Sequence, residues 1–341
     1  MKICLLSRYF DFRNAGIGRC SQKLLFGLTG KGHTVKCVST DGTSLQSYFK
    51  YIFYDIKKSI PPDCDIYHSM TPMEGVWIPK DRGVVTFHDL IPMVYPNLAG
   101  AGLNNNYLTK NIGKGVFRFA SKVSSKAKVV VCNSENTRLD VIQHLGVDGN
   151  KIKVIRWGIN EDLEPKVKKD DVFTIGYLGQ LDRRKRVELL IKAMLLSGKD
   201  FRLLIGGMGP DYNKLFNMAV GGRDLRFLGF IPDSLLGNFY NSLDVFVMPT
   251  SIEGYGLPIV EAMACKKPVV VLKDSIIPQE VKSRCVVVSS LEGSLQELPF
   301  MVKNLGMYGV DLEANYKWAK GHRWDRCIEE YIKVYEEVLD V

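Results

Sequence analysis

The stretch "SIEGYGLPIVEAMACKKPVVVL", Ser251 to Leu272, sets two carboxylates, Glu253 and Glu261, around two glycines and a proline. Pro258 suits a first helical position, where a missing N–H costs nothing, and this puts Glu261 near the end of the first turn. Gly254 and Gly256 let the backbone come close to a ligand, and the free N–H groups of a helix start favour an anion such as a diphosphate. Carboxylates would repel a diphosphate that they touched. They make sense on either side of it, one on the adjacent hydroxyls of a ribose and one on the hydroxyls of a second sugar. The layout is a template for sugar–diphosphate–nucleoside. Spacing alone also allows a plainer reading, in which Glu261 answers the helix dipole and Glu253 is a solvated loop residue.

Three more clusters have chemical potential. "LGQLDRRKRVELL" places Arg183, Arg184, Lys185 and Arg186 at a helix start, where cations are unfavourable unless an anion joins them. They serve one anion or form a solvated surface group. "VVTFHDLIPMVYP" puts His88 and Asp89 at the end of a strand, as sugar-hydroxyl or acid–base groups, or as a half-buried histidine beside a helix cap. "NAGIGR", Asn14 to Arg19, opens a helix with two glycines that can approach a phosphate, or simply turn the chain. It is a poor dinucleotide fingerprint, because the glycines come late after the strand and Ser21 stands at the third glycine position. Asp41, where a dehydrogenase would hold its ribose, keeps that alternative open.

The elements that must position these residues are short β-branched strands alternating with helices. "KICLLS", "TVKCVS", "DIYHS", "GVVTFHD", "KVVVCNS" and "KIKVIRWG" precede a charged stretch, "NEDLEPKVKKDD", that reads as a linker. "FTIGYLG", "FRLLIGG", "LRFLGF", "VFVMPT", "PVVVL" and "CVVVSS" follow it. Fully apolar strands separated by helices indicate parallel sheets covered on both faces. The expected architecture is α/β, two doubly wound domains in tandem, with ligands beyond the carboxyl ends of the strands. At 341 residues the chain exceeds what one core supports. Ser134 is an N-cap with Arg138 close to Glu135, Gly30 stops a helix, and "WDRCIEEYIKVYEEVLDV" is an amphipathic helix.

Composition bounds the rest. The chain is 46% hydrophobic and 24% charged, with a net charge of +9. No run approaches the roughly 18 apolar residues of a membrane span. Eight cysteines without a C-x-x-C pair, Cys4 and Cys132 within strands, indicate reduced thiols and a cytoplasmic setting. Basic residues without interleaved aromatics do not indicate nucleic acid. In "YLTKNIGKGVFRFASKVSSKAK", Leu108, Ile112, Val116, Phe119 and Val123 share one helical face. Lys110, Lys114, Arg118 and Lys122, continued by Lys126, form a slanted cationic stripe. Either an anionic membrane or lipid-linked partner offsets their repulsion, or the stripe is a solvated face.

"EGYGLPIVEAMACKKPVVV" resembles the E-x7-E signature of glycosyltransferase family 4, retaining nucleotide-sugar transferases of the GT-B fold. "GIGR", "KGHTVKCV", "TFHDLIP", "VVVCNSENT", "IKVIRWGIN", "LLIGGMGP", "LRFLGFIPDSLLGNFYNSLDVFVMPT", "IIPQEV" and the terminal "RWDRCIEEYIKVYEEVL" resemble family segments in the same order. The resemblance implies domains at 1–165 (acceptor side) and 166–318 (donor side), with 319–341 crossing back onto the first. It implies that Glu261 binds the ribose and that Glu253 lies near the donor sugar. Gly254, Tyr255, Gly256 and Leu257 would give backbone contacts to sugar and phosphate, and Lys185 and Arg184 would neutralise the diphosphate. His88 would touch the donor sugar, Gly18 would lie near the phosphates, and Phe230 and Ile231 would border the base. Gln180 stands where many members carry an arginine, so one cation contact is missing unless Arg184 supplies it.

The resemblance further implies transfer of a hexose, with a lean to mannose or glucose from GDP or UDP, to a glycan or lipid-linked acceptor. Transfer would proceed with retention, by front-face displacement and without a metal. The one D-x-D, Asp63-Cys64-Asp65, reads as structural. A nucleotide-sugar-binding regulatory protein without transfer is the alternative from another class.

Overall fold

The apolar runs form twelve strands in two parallel sheets. The computed structural model describes residues 1–10, 15–39, 50–97, 107–222 and 224–340. Asn14 and Asp41 lie outside the described residues, as do the side chains of 107–112. β1 (Lys2–Leu6), β2 (Thr34–Val38), β3 (Ile66–Ser69), β4 (Gly83–Phe87), β5 (Val129–Cys132) and β6 (Ile152–Val154) pair in the order β2-β1-β3-β4-β5-β6. β7 (Thr174–Leu178), β8 (Arg202–Gly206), β9 (Leu225–Gly229), β10 (Val245–Met248), β11 (Val269–Leu272) and β12 (Val286–Val288) pair as β12-β11-β10-β7-β8-β9. Every pairing is parallel. Interior strands such as β4 and β10 are buried at every residue, whereas edge strands β2 and β9 are partly exposed. Burial on both faces is why the interior strands are mostly apolar, with buried polar residues such as His68 and Thr86 each hydrogen-bonded.

In the first sheet, α1 (Ala15–Gly30) ends at the expected glycine, and α2 (Tyr107–Ser124) leads towards β5. α3 (Glu135–Leu145) is N-capped by Ser134, whose hydroxyl accepts the Thr137 N–H at 3.1 Å, while Arg138 pairs with Glu135 at 2.6 Å. In the second sheet, α4 (Val187–Leu196), α5 (Asp233–Asn241), α6 (Leu257–Ala264) and α7 (Leu312–Lys320) surround the strands. α8 (Trp324–Leu339) then returns to the first.

Contacts divide the described residues into unit 1, up to Gly158 and again from Trp324, and unit 2, Ile159 to Arg323. The charged stretch read as a linker is therefore part of unit 2. Leu163 is buried, the Lys166 N–H donates to Asn241 Oδ1 at 2.7 Å, and Glu164 pairs with Lys320 at 2.6 Å.

α8 completes unit 1. A Cβ on Gly27 of α1 would lie 1.9 Å from Ile328 Cδ1, so any larger residue would force the Ile328 side chain to move. Beneath the sheet, His68 joins Tyr335 (2.7 Å) and Thr86 (2.9 Å), and Thr86 joins Tyr331 (3.1 Å). Burial pulls the His68 imidazolium down to about 3, so the ring is neutral and each nitrogen is matched to a hydroxyl.

Candidate active site

In unit 2 the chain runs outward from β7 to β8 and β9, then returns to β10 on the other flank of β7. β7 and β10 are thus the topological switch point, where connections diverge and leave a crevice at the strand ends. The loop after β7 carries the cations, and the loop after β10 carries Glu253 and leads into α6, which holds Glu261.

After β7, Asp182 caps a single 3-10 turn, Arg183–Lys185, by accepting the Lys185 N–H at 3.1 Å. The buried Lys185 side chain brings Nζ to 2.5 Å from Glu253 Oε1. Arg184 Nη1 lies 3.8 Å from Glu253 Oε2 and donates to the Ile252 carbonyl at 2.8 Å. The two loops are sewn together by Ser251, whose N–H and hydroxyl both donate to the Arg184 carbonyl at 2.8 Å. Arg186 sits in the left-handed region at φ 52 and donates to the carbonyls of Pro249 and Thr250 and to both Asp274 oxygens. The four cations do not serve one anion: Arg184 and Lys185 reach Glu253, Arg186 is a structural clamp, and Arg183 is exposed. The left-handed turn aims Arg186 away from its neighbours.

Burial pushes the Glu253 carboxyl up, but the Lys185 and Arg184 charges outweigh it and hold the group below its ordinary value. Burial pulls the Lys185 ammonium down, against the attraction of Glu253. The result is a buried ion pair with a second cation beside it.

After β10, Gly256 at φ 97 starts α6, a conformation that favours glycine. α6 begins at Leu257, so Pro258 is the second helical residue rather than the first, and Glu261 falls in the second turn. Glu261 is 1% exposed and accepts a hydrogen bond from Tyr240 of α5 at 2.9 Å. Tyr255, between Gly254 and Gly256, is buried and its hydroxyl meets His322 Nε2.

The ends of β7, β8 and β9 are pressed together. Gly179 N–H donates to the Gly206 carbonyl at 3.1 Å and Gly207 N–H to the Gly229 carbonyl at 2.6 Å. A Cβ on Gly207 would lie 1.9 Å from the Gly179 oxygen. Ile231 follows β9 and packs beside Gly206, and Phe230 next to it is exposed. From β10 to β9 is three strand spacings, roughly 14 Å. Gln180 is exposed.

Gly18 and His88 belong to unit 1. Gly18 is buried in the first turns of α1, which follows β1. His88 follows β4; its Nε2 lies 2.9 Å from the Met70 carbonyl, and the ring stacks on Trp157 at 5.5 Å. Burial pulls the His88 imidazolium down to about 4, against the pull of the Met70 bond. A neutral ring that donates from Nε2 presents Nδ1 as an acceptor. Asp89 accepts the Ile91 N–H at 3.0 Å, the helix-capping role. Asp63 binds Lys36 at 2.8 Å, and Asp65 accepts the Lys2 N–H at 2.7 Å. The D-x-D is engaged at the amino-terminal edge of the sheet, opposite the ligand edge.

Sequence reasoning missed Asp182, Ser251, the Arg186–Asp274 clamp, Tyr240 and His322. An aspartate just before a helical turn is a cap signal, so Asp182 was readable; the rest depend on partners far along the chain.

Two doubly wound parallel units, one with a cationic, glycine-lined switch point, define a two-domain α/β protein of the GT-B class. The model for "Glycosyl transferases group 1" matches residues 159–288, and that for "Glycosyltransferase Family 4" matches 44–163. The chain belongs to glycosyltransferase family 4 and is a glycosyltransferase. It is 23% identical to O-antigen chain mannosyltransferase B of Escherichia coli, over 75% of this chain and 70% of that protein. An uncharacterized glycosyltransferase of Methanocaldococcus jannaschii is 30% identical, over 64% of this chain and 60% of its own length. Sucrose-phosphate synthase from Thermosynechococcus elongatus has the same fold, with a TM-score of 0.78 at 16% identity and 99% of each chain covered. So does Anabaena HepE in complex with UDP and glucose, with a TM-score of 0.71 at 16% identity, over 99% of this chain and 100% of that one.

Proposed function

We propose that the protein moves a hexosyl unit from a nucleoside diphosphate sugar to an acceptor hydroxyl, with retention at the anomeric carbon and without a metal. The observation that carries this is the cluster of Arg184, Lys185 and Glu253 beside the start of α6. Arg184, Lys185, the backbone of Gly254 to Leu257 and the N–H groups of α6 receive the diphosphate. Glu261, steadied by Tyr240, takes the ribose diol, and Ile231 borders the base. Glu253 faces the donor sugar. In unit 1, Gly18 stands in the first turns of α1 and His88 offers Nδ1 as an acceptor. His88 is too weak a base to take a proton at neutral pH.

In the step itself the anomeric C–O bond to the β-phosphate breaks while the acceptor oxygen bonds to the same face of that carbon. The departing phosphate oxygen takes the acceptor proton. Negative charge grows on the diphosphate, so donors aimed there lower the barrier most. The mannosyltransferase relative favours mannose as the sugar and a glycan as the acceptor.

A lipid-linked acceptor at an anionic membrane fits one face of unit 1. The connections β2 to β3 and β4 to β5 cross the sheet in the same direction, so right-handed crossovers put both on one face. The helix over 50–59 shows exposed Lys50, Phe53, Tyr54, Lys57 and Lys58 there, and α2 shows Arg118, Phe119 and Lys122. Phe119 is 55% exposed, contrary to its expected place on a packed face. Exposed aromatics among lysines suit a headgroup region. Among the described residues no helix is long and apolar enough to cross a membrane.

The test is a thermal-shift panel of GDP-, UDP- and ADP-sugars. A donor at about 100 times its dissociation constant stabilises by roughly 2.7 kcal/mol. No shift with any nucleotide sugar would remove the reading.

A further inference from the structure

The loop Glu253-Gly254-Tyr255-Gly256-Leu257 has one large side chain between its two glycines, and that side chain points away from solvent. Tyr255 is 3% exposed and packs in the core of unit 2. Its hydroxyl meets Nε2 of His322, which lies 67 positions further on in the turn after α7. His322 is itself pinned. Nδ1 lies 3.0 Å from the Trp318 carbonyl, Trp318 stands edge-on at 4.5 Å, and the His322 carbonyl accepts the Ile159 N–H at 2.9 Å. Because a carbonyl only accepts, Nδ1 carries the proton, Nε2 is the acceptor, and Tyr255 donates to it.

A Gly-x-Gly segment has more backbone freedom than other tripeptides, and that freedom must be removed if its N–H groups are to meet a diphosphate at fixed positions. Gly254 and Gly256 have no side chains with which to do so. Tyr255 is the anchor, and His322 fixes the anchor's far end.

We propose that His322 is a positioning residue for the donor loop. Acting through Tyr255, it holds the N–H groups of Gly254 to Leu257 in their anion-binding arrangement. It also ties the loop to Ile159 and Arg323, the residues at which the chain enters and leaves unit 2. The inference rests on the reading that this loop receives the donor diphosphate. It adds a residue that never touches the donor.

The experiment compares wild type with Tyr255→Phe, His322→Phe, the double variant, His322→Gln and, as a site control, Lys185→Ala. UDP and GDP affinity is measured by calorimetry, and amide exchange is followed in the peptide spanning 253–258. Both single phenylalanine variants should weaken binding of the preferred nucleotide by about tenfold and speed exchange in that peptide. The double variant should be no worse than either single, because both remove one bond. His322→Gln, which can accept from Tyr255 and donate to Trp318, should restore much of the affinity. Wild-type affinity and exchange in the single variants, with Lys185→Ala still losing affinity, overturns the role of His322 alone. Additive losses in the double variant overturn it as well. Faster exchange with unchanged affinity in every variant, Lys185→Ala included, overturns the diphosphate site on which the inference rests.

Discussion

Lys185 Nζ and Glu253 Oε1 stand 2.5 Å apart, and both side chains are shielded from water. The pair links the loop after β7 to the loop after β10 and places an ammonium beside the start of α6. Glu253 is the counter-ion of Lys185; on the proposed reading, the donor diphosphate would compete for the same cation.

Lys185→Ala should therefore lower transfer at least about tenfold, equivalent to 1.4 kcal/mol in the barrier. On the proposed reading, in which these cations and the helix N–H groups carry the diphosphate charge, activity should survive EDTA. The same variant strands a buried carboxylate, which costs up to about 3–5 kcal/mol of stability when no other cation helps; Arg184 limits the loss. Lys185→Met/Glu253→Leu should regain stability and remain inactive. Denaturant melts and initial rates measure both, and complete dependence on Mg2+ or Mn2+ would reopen the roles of Asp63 and Asp65.

The two glutamates should separate in behaviour. Glu261→Ala removes a charge-assisted contact to the ribose worth about 1.5–3 kcal/mol, so nucleotide affinity should fall roughly tenfold to hundredfold. Glu253→Gln removes the anion that competes with the diphosphate. Free nucleoside diphosphate should bind as well as to wild type or better, while transfer falls. Wild-type turnover in both variants sinks the assignment.

Liposome co-sedimentation tests the cationic face. Binding should require anionic lipid and weaken with salt, since each lysine or arginine near such a surface contributes about 1 kcal/mol. Replacing Lys57, Lys58, Arg118 and Lys122 by serine should release the protein. Sedimentation that ignores lipid charge counts against the docking face.

Acid should destabilise unit 1 through two histidines. His68 and His88 are held neutral in the fold, with values near 3 and 4, whereas an unfolded histidine titrates near 6.5. Between these limits the unfolded chain binds more protons, so stability falls as pH falls. From pH 7 to pH 5 the two together should cost on the order of 3–4 kcal/mol. Denaturant titrations at the two pH values measure the loss, and a His68→Gln variant should show a smaller one. By the same values, no His88 titration should appear in kcat/KM between pH 5 and 8.

The strands and the donor loop were legible because their signals are local. Interior parallel strands are mostly apolar because both faces are covered, and glycines with a proline before a helix announce its start. The stretch around Glu164 and Lys168 looked like a linker because its charges find Lys320 and Asp244 far along the chain. Arg186 looked like one more anion-binding cation because spacing does not reveal a left-handed backbone. Phe119 matched an apolar period that its surroundings do not bury. His322 carried no signal at all, since a lone histidine says nothing until Tyr255 is beside it.

Among the described residues, the chain leaves unit 1 after Gly158 and re-enters it at Trp324, with unit 2 between. This imposes an order on biosynthesis. Unit 2 has its whole sequence available once Arg323 has emerged from the ribosome, and it can fold in one piece. Unit 1, although translation of it begins first, lacks the partners of His68 and Thr86 until Tyr331 and Tyr335 are made. The earlier-made half must wait for the later one, with the α1 surface that receives Ile328 uncovered meanwhile. A truncation before α8 would strike the amino-terminal unit, and chaperone dependence should concentrate there.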